Sequence, residues 1–403
     1  MLIFVSDIHL TDALHGSSVS KLDAFQRFWV RIQAARGTRP AKLAFVGDLF
    51  DLVRSPTWLS TVHRPYHELP GDGVEVIDRI TDAILERERP FFDAIRSKVQ
   101  GGELEIYYAL GNHDRLLSIA PKARRAIWKA MTGRDEDVEF PTELVFEEHG
   151  VLAYHGHLGD PINDSVDGAG TVGDALASEL IVRFPRDVQA LIGRREVALE
   201  DIDDVRPIYA VPAWVREIGI RQRELLRPIG KVWQDLVSDF LDNDFVRHWM
   251  RQQHKFLGLD TGKKLKLLLE LSTGKLMAHT HDHRLTKLYK LFQHSFDGRM
   301  ATRAIEQLEQ RGGKLRYVVN GHSHFASMLP LGNLDGKPAV YFNTGTWRTL
   351  HQIGHGIGGR PSFLAFDAMS YLVFFPSGDP MGRDFEWWNG ALVTTPSGHA
   401  LTE

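Results

Sequence analysis

Five times along this chain a short apolar run ends directly on histidine, aspartate or asparagine. The runs "LIFVS" (2–6), "KLAFVG" (42–47) and "ELEIYYAL" (103–110) deliver Asp7 and His9, then Asp48 and Asp51, then Asn112, His113 and Asp114. The hairpin pattern "ELVFEEHGVLAYH" (143–155), with its turn near His149–Gly150, delivers His155 and His157; "LRYVVN" (315–320) delivers His322 and His324. Helical patterns at 20–35 and 74–88 separate the first three runs, and strands that alternate with helices predict an α/β fold. Open α/β sheets gather ligands at the carboxyl ends of their strands. Five ends with one chemistry therefore predict one convergent site. Asp7 and His9 stand two residues apart, as do His322 and His324, and in an extended segment such pairs share a face.

The alternation is interrupted. From Gly159 to Gly312 helical periodicity dominates, with Trp214, Trp233 and Trp249 as packing anchors, and strand signals return at 339–343, 362–366 and 371–375. That stretch is too long for an ordinary connection. It predicts a helical cap over residues 159–311, inserted into a core made of residues 1–158 and 312–403. A chain of 403 residues can bury such a core. Its net charge of −4 supplies no overall basic field for nucleic acid. The opening "MLIFVSDIHL" lacks the basic start and long apolar stretch of a signal peptide, and no run of about 18 apolar residues follows. A cytoplasmic protein without a transmembrane segment is expected.

Cysteine is absent. Disulfides, thiolate ligands and cysteine nucleophiles are thereby excluded, and any metal must be held by His, Asp, Glu or Asn. Imidazoles, carboxylates and an amide suit divalent ions such as manganese, iron, zinc or nickel. The donors are too many for one tetrahedral ion and about the right number for two ions that share a carboxylate. Paired ions of that kind clamp a phosphoryl group while activating water.

In this order, Asp7-Ile8-His9, Gly47-Asp48-Leu49-Phe50-Asp51, Gly111-Asn112-His113-Asp114, His155-Gly156 and Gly321-His322-Ser323-His324 resemble the motifs of the calcineurin-like metallophosphoesterases. The resemblance covers the α/β parts and leaves the insertion unexplained. It implies a two-sheet α/β/β/α sandwich and a hydrolase of phosphoester bonds; a cap able to grip both sides of a linkage favours a phosphodiester or pyrophosphate over a monoester. It implies two divalent cofactor ions, manganese first, with Asp7, His9 and His324 on one, Asn112, His155 and His322 on the other, and Asp48 bridging. A metal-held hydroxide would then attack phosphorus, His113 would assist the leaving oxygen, and Asp114 would orient the His113 imidazole. Asp51 is read as a support behind the ligands or as structural, and not as a ligand itself. His157 competes with His155 for one ligand place and otherwise faces substrate.

Arg348, in "NTGTWRTLH" (343–351), and Arg54 are candidate phosphate ligands, because guanidinium matches phosphate oxygens; Arg115 has the same standing. "MAHTHDHRL" (277–285), with His279, His281 and His283, reads as a polar segment rather than a second metal site. Between His254 and Lys290 eight lysines and arginines face three acids, and "KKLKLLLELSTGKL" mixes lysines with leucines. Either the leucines pack inward, or the segment is a basic lid for a lipid-linked substrate or a membrane surface, which would make the protein peripheral to the membrane. The insertion's place is similar to that in UDP-2,3-diacylglucosamine pyrophosphatases, which carry a shorter one and arginine at the position of His113. "GDLFD" and His113 also resemble the DNA-end nucleases of the SbcD type, with nucleic acid or a nucleotide-containing phosphoester as substrate. A catalytically silent scaffold on the same fold is the non-enzymatic alternative.

Overall fold

The computed structural model describes residues 1–12, 20–164, 170–253, 260–273, 299–334, 336–354 and 363–392. Its strands are β1 (Leu2–Val5), β2 (Ala41–Val46), β3 (Leu104–Ala109), β4 (Glu143–Phe146), β5 (Val151–Tyr154) and β6 (Val205–Arg206). They continue as β7 (Tyr317–Asn320), β8 (Ser327–Leu334), β9 (Lys337–Asn343), β10 (Thr349–Ile353), β11 (Phe363–Phe374) and β12 (Phe385–Leu392). The first half carries helices α1 (Lys21–Arg36), α2 (Gly71–Arg87), α3 (Arg89–Gln100) and α4 (Pro121–Thr132). The insertion carries α5 (Val172–Leu176), α6 (Arg183–Ile192), α7 (Val211–Arg221), α8 (Leu226–Asp242), α9 (Asp244–Gln252) and α10 (Thr261–Thr273), and a further helix runs through residues 299–310.

Two sheets form. One runs β3-β2-β1-β11-β10-β6, with β12 also paired to β11; the other runs β4-β5-β7-β9-β8. β1, β2 and β3 are parallel, as are β5, β7 and β9, so both sets of carboxyl ends deliver their loops together. Alternation along the strands explains the layering. Leu2 and Phe4 of β1, with Ala44 and Val46 of β2, meet Val151, Ala153, Val319 and Phe342 of the other sheet. Their neighbours Ile3, Val5, Leu43 and Phe45 face the opposite way, onto Phe25, Ile80 and Ile95 of α1, α2 and α3. The outer face of the second sheet is covered by Met300, Ala304 and Leu308 of the 299–310 helix. The chain is a mixed α/β protein with two face-to-face sheets between helices.

Several expectations change. The signals at 362–366 and 371–375 belong to one strand, β11. The polar residues between them suggest a turn, but Asp367 is bound by the Thr349 hydroxyl, and Ser370 bonds Thr344 O and Thr346 N. The strands β6, β8, β10 and β12 carry no long apolar run, and the sequence pattern does not predict them. β6 lies within the stretch read as helical and pairs parallel with β10. Trp214 and Trp233 do anchor the insertion's own apolar cluster, where Trp249 is half-buried. In α10, Leu265, Leu268 and Leu269 pack inward, the first of the two readings given to that segment. Residues 277–285 lie outside the described residues. No helix among the described residues is long and apolar enough to cross a membrane.

Candidate metal centre

The strands stop before the site begins. Asp7, His9, Asp48, His322 and His324 have φ of 53°, 50°, 54°, 71° and 63°, and among the described residues no other non-glycine residue has positive φ. Each such conformation costs on the order of 1–3 kcal/mol and concentrates at functional positions. The two-apart pairs therefore converge by left-handed turns, not by the shared face of an extended segment. Backbone bonds brace the exits: Asp7 N donates to Gly47 O at 3.2 Å and His9 N to Asp48 O at 2.9 Å. The motif glycines are steric necessities. A Cβ on Gly111 would collide with Asp48 Oδ1, and one on Gly321 with Asp7 Oδ2.

Seven side chains converge into two donor sets. In the first, Asp7 Oδ1 lies 3.3 Å from His324 Nε2 and 3.6 Å from His9 Nε2, and the two imidazole nitrogens face each other at 3.1 Å. In the second, Asn112 Oδ1 lies 3.1 Å from both His155 Nε2 and His322 Nδ1. Asp48 Oδ2 belongs to both, 3.0 Å from His155 Nε2 and 3.6 Å from His9 Nε2. Of the two histidines that compete for one place, His155 is the one that stands among these donors. The His157 ring stands beside it, 5.5 Å centre to centre, and its Nδ1 is buried without a partner among the described residues.

The other atoms of these groups are occupied. Asp7 Oδ2 accepts from Ser6 Oγ and His322 N, while Oδ1 is buried with no hydrogen-bond partner among the described residues. His155 Nδ1 donates to Val46 O at 2.9 Å, His9 Nδ1 bonds Asp51 Oδ2 at 3.0 Å, and His322 Nε2 bonds Asp160 Oδ2 at 3.0 Å. In the neutral ring each partner leaves the lone pair of the other nitrogen toward the cluster, the kind of outer support that a ligating imidazole takes. An orphaned buried carboxylate oxygen set among imidazole nitrogens is what a site for cations requires.

Electrostatics agree. Burial lowers the pKa of His9, and burial reinforced by Arg206 lowers that of His324 well below its ordinary value, which keeps both rings neutral as ligands must be. Burial opposes charge on His155, but Asp48 and Asp7 override it and push its pKa up to about 10. An ion must displace that proton. Burial would raise Asp48, yet His155 and His113 hold it well below the usual carboxylate range.

The role expected for Asp114 is corrected. Its carboxylate accepts from Gly111 N, Leu49 N and the Tyr108 hydroxyl at 2.6, 3.1 and 2.6 Å, so it staples the second strand exit to the third. Burial and the charge of Asp48 push it up to about 7. The carboxylate on His113 is that of Asp51, whose Oδ1 lies 2.7 Å from Nδ1. Asp51 thus grips His9 and His113 at once, the first of the two readings given to it. Its place at the end of "GDLFD", on the same strand exit as Asp48, is the available signal for that role.

The arginines divide. Arg348 does not line the cleft; it is buried against Asp203 Oδ2 at 2.6 Å and Asp204 Oδ1 at 2.7 Å. Arg115 is bound to Asp174. Arg54 does line the cleft, with Nη1 on Asp203 Oδ1 at 2.8 Å. Arg206, on β6, is a cleft residue that the sequence does not announce. Its Nη1 donates to Asp203 O and Val205 O, and its Nε lies 3.2 Å from His324 Nδ1. Burial and the nearby Arg54 and Arg348 lower it to about 9, which still leaves it cationic at neutral pH. A lone arginine in a helical stretch, 118 residues from His324, carries no local signal.

The cleft has a volume of about 240 Å³. Asp48, Asn112, His113, His322 and His324 line it together with Pro207, Ile208, Tyr209, Phe325 and Leu329. The chain matches no family model and no curated protein. Buried His and Asp groups able to hold metal ions are what the structure itself provides.

Proposed function

We propose that this protein is a dinuclear metal-dependent hydrolase of phosphoester bonds, of the calcineurin-like kind that its motifs resemble. The observation that carries the reading is the shared Asp48 Oδ2: two donor sets, contributed by five strand ends, meet at one carboxylate oxygen. Asp7, His9, Asp48 and His324 would hold one divalent ion, and Asp48, Asn112, His155 and His322 the other. When bound, the ions supply the positive charge that polarises a phosphoryl oxygen and makes water a nucleophile near neutral pH.

The chain's own groups supply the rest. His113 lines the cleft, and because Asp51 holds Nδ1, Nε2 is the atom left to protonate the leaving oxygen. Arg54 lines the same cleft and, although Asp203 already pairs with its Nη1, would stand beside the phosphoryl group. Manganese heads the candidates, with iron, zinc and nickel behind it, since the donors are nitrogen and oxygen without sulfur. Stripping with EDTA and reloading with manganese should restore about two ions per chain together with hydrolysis of bis-p-nitrophenyl phosphate. Two ions without turnover of any aryl phosphoester would favour the silent scaffold; no bound ion would end the metal reading.

A further inference from the structure

The insertion places four consecutive residues, Arg206, Pro207, Ile208 and Tyr209, in the lining of the cleft that holds the donor sets, with Arg206 against His324. Their backbone is held in the core, because β6 pairs with β10 through Val205 with His351 and Arg206 with Gln352. Arg206 is 4% exposed, and its Nη2 is buried with no hydrogen-bond partner among the described residues. An unsatisfied guanidinium nitrogen in such a place costs free energy unless an acceptor arrives. The next three residues of the segment bring no charge. Ile208 and Tyr209 continue it as an apolar surface, and Phe325 and Leu329 also line the cleft.

We infer that residues 206–209 are the substrate-recognition segment, with Arg206 Nη2 taking a phosphoryl oxygen and Pro207, Ile208 and Tyr209 taking a compact apolar or aromatic substituent of the phosphoester. This rests on the hydrolase reading above and narrows it. The cleft, at about 240 Å³, has room beside the donors for a substituent the size of one ring. The fork geometry of arginine suits the oxygens of a tetrahedral anion. The helical insertion thereby supplies selectivity to a centre whose ligands all come from the core.

The test is binding, with manganese content measured on every sample. Calorimetric titration of the manganese-loaded protein with inorganic phosphate and with phenyl phosphate should show phenyl phosphate binding about tenfold more tightly, the worth of a partly buried ring. Arg206→Met should weaken both anions at least about tenfold while both ions remain bound. Ile208→Ala keeps the guanidinium, and should remove most of the preference for phenyl phosphate while leaving inorganic phosphate unchanged. Equal affinity of the parent for the two anions, or an Arg206→Met protein that still holds both ions and binds phosphate like the parent, overturns the inference and leaves the hydrolase reading standing. A parent protein that retains no manganese overturns both.

Discussion

Two buried charged clusters lie side by side in this molecule, and they are balanced differently. At the strand ends Asp7, Asp48 and Asp51 sit among imidazoles, with an orphaned carboxylate oxygen of Asp7 between the nitrogens of His9 and His324. Beside them Arg54 and Arg348 are matched by Asp203 and Asp204 at hydrogen-bonding distance. The first presents lone pairs in excess, and the second carries its own cations. Burying charge is tolerable only when it is compensated. The comparison therefore separates a receptive cluster from a structural one, which fastens the insertion to the core. Asp51 touches both: it holds His9 and His113, and lies 3.8 Å from Arg348.

The largest effect expected is at the shared oxygen. Asp48→Asn should take bound manganese to nearly none and hydrolysis to background; retention of one ion, by elemental analysis, would reject the sharing. Next, His113→Ala should lower kcat by about 10²–10⁴-fold, the range for a general acid, with both ions kept. Loss of metal in that variant would move His113 into the donor set. In the matched cluster the expected damage is to stability. Asp203→Ala leaves two guanidinium groups short of a partner and should cost about 3–5 kcal/mol in denaturant unfolding. Asp51→Asn tests the residue common to both clusters, and should weaken manganese binding about 10–100-fold through His9, as losses of such supporting carboxylates do.

The smallest effect concerns Asp201. Burial, then the charges of Asp204 and Glu200, push it up to about 7. The folded chain holds this proton more tightly than the unfolded one, whose aspartates titrate near about 4. Stability is therefore lost as pH rises from about 4 to about 7. Asp201→Asn should raise Tm at about pH 8 and change it little at about pH 4, by scanning calorimetry; an equal rise at both would assign the gain to packing.

Legibility in the sequence followed locality. β1, β2, β3, β5, β7 and β9 are largely buried apolar runs, and such runs declare themselves. β8 alternates exposed and half-buried residues and contains a proline and a glycine, which read as loop. β6 is two residues long and exists because β10 is there to pair with it. The same division holds within the site. The donor residues stand in short motifs and can be named, whereas Asp160, which holds His322, and Arg206, which faces His324, come from segments with no pattern of their own.

What the sequence determined by itself was the chemistry: nitrogen and oxygen donors without sulfur, placed where buried strands end. Tertiary structure alone decided which ring nitrogen faces the centre, that Asp51 rather than Asp114 steadies His113, and that the insertion reaches the cleft through Arg206. The reason is physical. Apolar runs and their termini are set by neighbours along the chain, while a tautomer or an ion pair is set by whichever group arrives across the fold, here from 42 to 315 residues away.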